Sequence, residues 1–376
     1  MVAGALAQRP AHPGHAWVFL QYLLGFRRLN LEVLFLDGVP AGATPRETPA
    51  MVDWLESVMD WAGLSREWAI GLPDGSYAGL TRTEVTERVR SSEFLLDVNG
   101  VLSGNDLLGQ ASRRVFLDID PGFIQMWKAL GLADVLAGHD IFVTVASRMG
   151  MPGCEVPTLD LDWTAIRPPV VLERWPLLPS HEAGAFTSIA TWRGPFGPLE
   201  YAGATYGLRV HEFRQFLALP RSTDARFEVV LDIDPEDNRD RMALEDSGWH
   251  IRDPASTVPD LQAYGQYIAQ SRAEVCIAKS MYVRTKSGWF SDRSACYLAT
   301  GRPVLAQETG FSESLPTGEG LVAFDSIDSA VAGVRTIAND LTTHGRAARR
   351  IAEEYFDSDI VLANLLSELR RENESR

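Results

Sequence analysis

The sequence predicts an α/β protein built from two doubly wound units. Three observations carry that reading: short apolar runs alternate with amphipathic stretches in the first part of the chain, prolines break the alternation over residues 152–180, and the same rhythm restarts afterwards. Strands separated by helices can join a parallel sheet covered on both faces, and a sheet interrupted and begun again makes a second unit. At 376 residues the chain also exceeds the usual size of one domain.

Taken in order, residues 2–7 form a candidate strand. Residues 17–29 carry apolar side chains at 17, 19, 20, 23, 24 and 26, a helical spacing, and lead into a strand over 31–36 that stops at Asp37-Gly38. A second helix over 51–62 sets Met51, Trp54, Leu55, Val58 and Trp61 on one face. Strands follow at 93–97, 114–118 and 141–146. Six prolines then fall within 152–180, removing amide donors and stiffening the backbone, which reads as a linker. Beyond it, strands are expected at 186–190, 227–232, 250–252, 275–278, 303–306 and 320–324, with helices over 261–271 and 326–341 between them. A long terminal helix over 347–369 is interrupted near Phe356-Asp-Ser358.

A hydrophobic fraction of 45% with 23% charged residues supplies an ample core. No apolar run approaches the ~20 residues needed to span a bilayer. The opening Met1-Val-Ala-Gly-Ala-Leu-Ala lacks a basic flank and is cut short by Gln8-Arg9-Pro10, so it reads as a strand, and the expected location is the cytoplasm. Cys154, Cys276 and Cys296 are widely spaced and suggest neither a disulfide framework nor a zinc site. A net charge of −15 without any Lys/Arg block argues against a nucleic-acid partner.

The most informative stretch is Ser287-Gly-Trp-Phe-Ser291. It precedes a helix whose unpaired N–H groups and positive dipole end would face an anion. Gly301 stops that helix and Arg302-Pro303 leads into the apolar run Val304-Leu-Ala306. An ordinary helix-to-strand connection would look the same. Lys279, Arg284, Lys286 and Arg293 cluster around the loop, as an anion site would require.

The run Ala295-Cys-Tyr-Leu-Ala-Thr-Gly-Arg-Pro-Val-Leu-Ala-Gln-Glu-Thr-Gly310 resembles the segment in which GT-B glycosyltransferases end a donor-binding helix, enter a strand at G-x-P-V and set a polar loop against the donor sugar. Gly14-His15 after the first strand, with the helix-to-strand run Leu23 to Val33, is similar to the opening of these enzymes, and Arg193 is similar to their diphosphate-binding cation. The resemblance implies two Rossmann-like domains facing a cleft. It places an acceptor domain at 1–165, a Pro-rich linker at 166–182, a nucleotide-sugar domain at 183–355, and a C-terminal helix at 356–376 that crosses back to the first domain. It further implies an enzyme of hexosyltransferase type, moving a sugar from a nucleoside-diphosphate sugar, UDP-sugar by default, to a small-molecule or soluble acceptor, with neither metal nor other cofactor. Retaining members commonly carry two glutamates eight residues apart, where this chain has Gly288 and Cys296. Asp292, one turn before Cys296, is the substitute on the same helix face.

On this reading the diphosphate is held by Arg193, Arg209, Lys279 and Lys286 with the loop of Ser287, Gly288, Trp289 and Ser291. Asp292 serves the ribose, Trp249 stacks on the base, and Glu308, Thr309, Gly310 and Phe311 face the sugar. The catalytic candidates are His15, placed by Gly14 on the acceptor-side loop, together with Asp97 and Asp120, with Asp118 an alternative to Asp120. Asp118-Ile-Asp120 also has the form of a metal-binding D-x-D, but its place at a strand end of the first domain argues against that role. Two other activities remain compatible with the same pattern, a nucleotide-sugar epimerase and a non-catalytic binding protein.

Overall fold

The computed structural model describes the backbone of residues 1–194 and 196–374, with side chains through Arg371. Residues 375 and 376, the end of the helix expected over 356–376, lie outside the described residues. Two compact units emerge: unit 1 comprises Met1–Val145, Pro157–Pro169 and Ser358–Arg376, and unit 2 comprises Ala146–Val156 and Val170–Asp357. The linker expected over 166–182 is thus divided after Pro169, and 146–156 packs with unit 2 although it follows directly on a unit 1 strand.

Unit 1 runs β1 (Val2–Ala3), α1 (Pro13–Arg28), β2 (Phe35–Gly38), α2 (Glu47–Trp61), β3 (Trp68–Gly71), β4 (Tyr77–Gly79), α3 (Arg82–Ser91), β5 (Leu95–Val98), β6 (Arg114–Asp118), α4 (Phe123–Ala129), β7 (Ile141–Thr144) and β8 (Trp163–Ala165). Its eight strands are ordered β4-β3-β2-β1-β5-β6-β7-β8, and all neighbours are parallel except β3 and β4. The direction of winding reverses between β1 and β5, the point at which open α/β sheets leave a crevice beyond the strand ends. β1 is shorter than the run 2–7 suggested. The Asp37 carboxylate takes the Ala7 N–H at 2.7 Å, drawing the chain into a loop over the strand ends instead of along the sheet.

Unit 2 runs β9 (Phe186–Thr191), the hairpin β10 (Leu199–Tyr201) and β11 (Ala204–Tyr206), α5 (Arg209–Phe213), β12 (Phe227–Asp232), α6 (Asn238–Asp246), β13 (Trp249–Arg252), α7 (Pro254–Thr257), α8 (Leu261–Gln270), β14 (Ala273–Cys276), α9 (Ser280–Thr285), α10 (Asp292–Ala299), β15 (Val304–Gln307), β16 (Leu321–Phe324), α11 (Ile327–Asn339) and α12 (Leu341–Tyr355). Its main sheet is wholly parallel, in the order β13-β12-β9-β14-β15-β16, and reverses between β9 and β14.

The chain ends in α13 (Ser358–Glu374), which belongs to unit 1. Val361, Leu362, Leu365, Leu366 and Leu369 are buried, and Arg28 on α1 grips Asp359 through two 2.8 Å bonds. Gly25 makes the helix contact possible, because a Cβ there would lie 2.5 Å from Leu362 Cδ1. The apolar residues so near the chain end are explained by this return to unit 1.

Candidate functional site

In unit 2 the winding reverses between β9 and β14, so ligand chemistry is expected beyond Thr191 and Cys276. α10 points its N-terminus into this region. Ser291 precedes its first turn but makes no side-chain cap, and helix geometry leaves the first-turn N–H groups without partners inside the helix. Arg293, in that turn, spans the two switch-point strands. Its Nε donates to Glu274 Oε1 at 2.6 Å, one Nη to Ile189 O at 2.6 Å and the other to Cys276 Sγ at 3.4 Å. Arg293 is therefore a bracing cation, neutralised by the fully buried Glu274.

Arg209, at the start of α5, differs from it. Its Nε is buried without any hydrogen-bond partner, and it forms no carboxylate ion pair among the described residues. Burial, and then the charge of Arg293, hold its pKa below the usual arginine value, with smaller opposing influences from Cys276, Tyr282 and Glu274. Arg293 is thus paired with Glu274, while Arg209 stands without a carboxylate partner beside a helix N-terminus that has no side-chain cap and carries Asp292 in its first turn. That combination attracts a compact anion.

The other donor-side candidates divide. Lys279 lies at the end of the β14 loop, its Nζ 5.3 Å from the Tyr282 ring centre and 5.7 Å from that of Phe196. Trp289 stacks on Tyr282 at 4.3 Å and 25°. Lys286 is exposed, in a left-handed backbone conformation at the end of α9. The loop amides turn inward: Gly288 N–H donates to Thr309 O at 2.7 Å, and Trp289 N–H to Ser287 Oγ at 3.3 Å. The amides of Gly288 and Trp289 are thus taken up within the loops, and the first turn of α10, where Asp292 also sits, supplies N–H groups that can face an anion. Glu308 is half-buried and accepts from Gly310 N–H, Thr309 is tied to Trp289 O, and Phe311 is buried against Phe290.

One donor-side assignment is corrected, and a second residue is already paired. Trp249 is a core residue, buried among Phe213 and Phe227 with its Nε1–H on Leu217 O, so it cannot stack on a base. Arg193 follows β9 as expected, but its guanidinium is half-exposed and bidentate on Asp237. Sequence reasoning passed over Glu274 because the strand was set at 275–278; it runs from Ala273, and a carboxylate inside a buried strand is itself a sign that a cation must meet it. Arg148 was also missed. It pairs with Glu313 and packs against Gly310 and Gly288, supporting the loops from below.

In unit 1, Gly14 and His15 stand in the first turn of α1, not in a loop. His15 Nε2 lies 2.9 Å from Ala5 O. A carbonyl only accepts, so Nε2 carries the proton and Nδ1 the lone pair. Burial, then Arg9, lowers the His15 pKa to about 4, while Ala5 and Asp120 act to raise it. Asp97 is fully buried, accepting Leu102 N–H at 3.1 Å and facing His139 Nε2 at 3.0 Å, which closes it to substrate. Asp118 is likewise enclosed, held by Gln125 and Thr144, and burial pushes its pKa up to about 7. Among the described residues no group of three or more His, Cys, Asp or Glu gathers in metal-binding geometry, and no helix is long and apolar enough to cross a membrane.

Two doubly wound units with a terminal helix returning to the first constitute the GT-B fold of glycosyltransferases. Solved structures match along the whole chain: sucrose-phosphate synthase from Thermosynechococcus elongatus (TM-score 0.59, 10% identity, covering 100% of this chain and 99% of that one), Anabaena HepE in complex with UDP and glucose (0.58, 13%, 98% and 98%), and AviGT4, a glycosyltransferase involved in avilamycin A biosynthesis (0.54, 14%, 98% and 97%). No protein-family model and no curated protein sequence matches the chain.

Proposed function

We propose that the protein is a glycosyltransferase that binds a nucleoside-diphosphate sugar on unit 2 and passes its hexosyl group to a small-molecule or soluble acceptor held by unit 1, in the cytoplasm and without a metal. The observation that carries this reading is Arg209, a half-buried cation whose Nε has no partner and which has no carboxylate of its own, set beside the uncapped N-terminus of α10 at the switch point of the sheet. Breaking the glycosidic bond leaves charge on the diphosphate, and preorganised amides and cations stabilise that charge without a metal. Lys279 adds a second positive charge on the same side of the sheet. UDP-sugar is the preferred donor class, since HepE, of the same fold, has been solved with UDP and with UDP-glucose.

On the acceptor side Asp97 is spent on its own hydrogen bonds, which leaves His15 and Asp120 to take the acceptor proton. No disulfide forms among the described residues, and Cys154, Cys276 and Cys296 stay as thiols, which suits a reducing compartment. Incubating the full chain with UDP-glucose, dTDP-glucose and GDP-mannose tests the reading: release of the nucleoside diphosphate, unchanged in EDTA, is expected for one of them. Absence of binding to all three would refute it, and turnover abolished by EDTA and restored by manganese would refute its metal-free form.

A further inference from the structure

Two titratable side chains that the transfer reaction does not use face each other inside unit 1. Asp97 on β5 and His139, in the segment before β7, stand with Nε2 3.0 Å from Oδ2, and neither side chain reaches solvent. The ring meets Phe116 of β6 edge-on at 5.2 Å. The same carboxylate accepts Leu102 N–H at 3.1 Å, so the pair fastens the loop after β5 to the segment that leads into β7. Gly100, in that loop, approaches so closely that a Cβ would lie 2.6 Å from Val135 O.

The protons of the pair can be counted. His139 Nδ1 lies 3.2 Å from Leu136 O. A carbonyl only accepts, so Nδ1 carries a proton, and a neutral imidazole then has only a lone pair at Nε2. In a buried site a lone pair facing a carboxylate oxygen at hydrogen-bond distance requires a proton between them. The pair therefore holds one proton more than an ionised carboxylate and a neutral imidazole hold together. Burial raises the Asp97 pKa in the same sense, against the opposing pull of His139 and of the Leu102 and Val101 amides. Charged groups on the flanking segments are engaged elsewhere. Asp134 is paired with Lys128 and Asp140 with Arg114, Asp118 is tied to Gln125 and Thr144, and Asp106 is exposed.

We infer that Asp97 and His139 form a proton-held latch, which closes the loop after β5 against the segment before β7 at neutral pH and loosens when alkaline pH removes the shared proton. The latch belongs to unit 1 and does not depend on what unit 2 binds.

Urea denaturation of the full chain from pH 6.5 to 8.5, with wild type and Asp97→Asn side by side, tests it. In an unfolded chain the carboxylate is ionised and an imidazole gives up its second proton above about 6.5, so folding takes up one proton in this range. A folded state that binds more protons loses stability as pH rises. Asp97→Asn needs no shared proton, because its side-chain N–H donates to Nε2 of a neutral ring while its oxygen still accepts Leu102 N–H. Relative to that variant, the folding constant of the wild type should fall by up to about tenfold per pH unit. Nitrogen NMR of the wild type at pH 7.5 gives an independent readout, in which His139 Nδ1 should carry a proton. Parallel pH slopes for the two proteins, or an unprotonated Nδ1, would overturn the latch. Should the variant fail to fold, the state of Nδ1 in the wild type decides alone.

Discussion

Arg293 on α10 reaches back to Glu274 on β14, Nε to Oε1 at 2.6 Å, and the pair lies buried across the strands where the unit 2 sheet reverses. One carboxylate therefore neutralises the bracing arginine and leaves none for Arg209. The pair also fixes the start of α10 to the sheet, since another nitrogen of Arg293 holds Ile189 O on β9.

Glu274→Gln should therefore destabilise the protein by about 3–5 kcal/mol, the usual cost of leaving one partner of a buried ion pair alone. Urea denaturation measures it. A cost within about 0.5 kcal/mol, typical of an exposed position, would contradict the bracing role.

Arg193→Ala should cost about 1 kcal/mol or somewhat more of stability, because its guanidinium is half-exposed while the Asp237 carboxylate it would leave behind is nearly buried. It should also reduce UDP affinity less than Arg209→Ala does. Parallel titrations decide between the two arginines, and the reverse ranking would restore Arg193 as the principal phosphate cation.

Gly310 has φ +97°, and a Cβ there would stand 2.7 Å from Arg148 Cδ and 3.0 Å from Lys286 O. Gly310→Ala should thus cost more than ~1 kcal/mol, through both the left-handed backbone and the collision. Thermal unfolding reads this directly; an unchanged midpoint would mean that the loop relaxes freely.

His15 gives a pH signature. In the unfolded chain the imidazole takes its proton near the ordinary 6.5, whereas burial and Arg9 delay this in the folded protein to about 4. Stability supplied by the neutral ring is complete above 6.5 and is lost as pH falls toward 4. Asp37 and Asp118, pushed up by burial to about 7, act oppositely, with stability falling as pH rises from 4 to 7. The difference between wild type and His15→Gln cancels their contribution. Between pH 7 and 4.5 the wild type should lose more stability than the variant, and parallel slopes would contradict the neutral, buried histidine.

Much of this architecture is legible in the sequence because apolar periodicity reports which face is buried. The break at Phe356-Asp-Ser358, the return of α13 and the α10-to-β15 connection all follow from that pattern. Partnerships across the sheet were not legible. Arg193 and Arg209 are equivalent as letters, yet one meets Asp237 and the other meets no carboxylate, a difference set by residues 44 positions away in the first case. Trp249 and Asp97 were misassigned for the same reason, since a strand-end position does not reveal whether a side chain turns into the core.

Calorimetric titration of UDP into the full chain and into Arg209→Ala tests the central claim most directly. The account predicts binding by the wild type and a loss of about 1.5–3 kcal/mol in the variant, roughly tenfold or more in Kd, with the melting temperature retained or raised because a half-buried cation without a carboxylate partner has been removed. Equal affinity of the two proteins for UDP would contradict it.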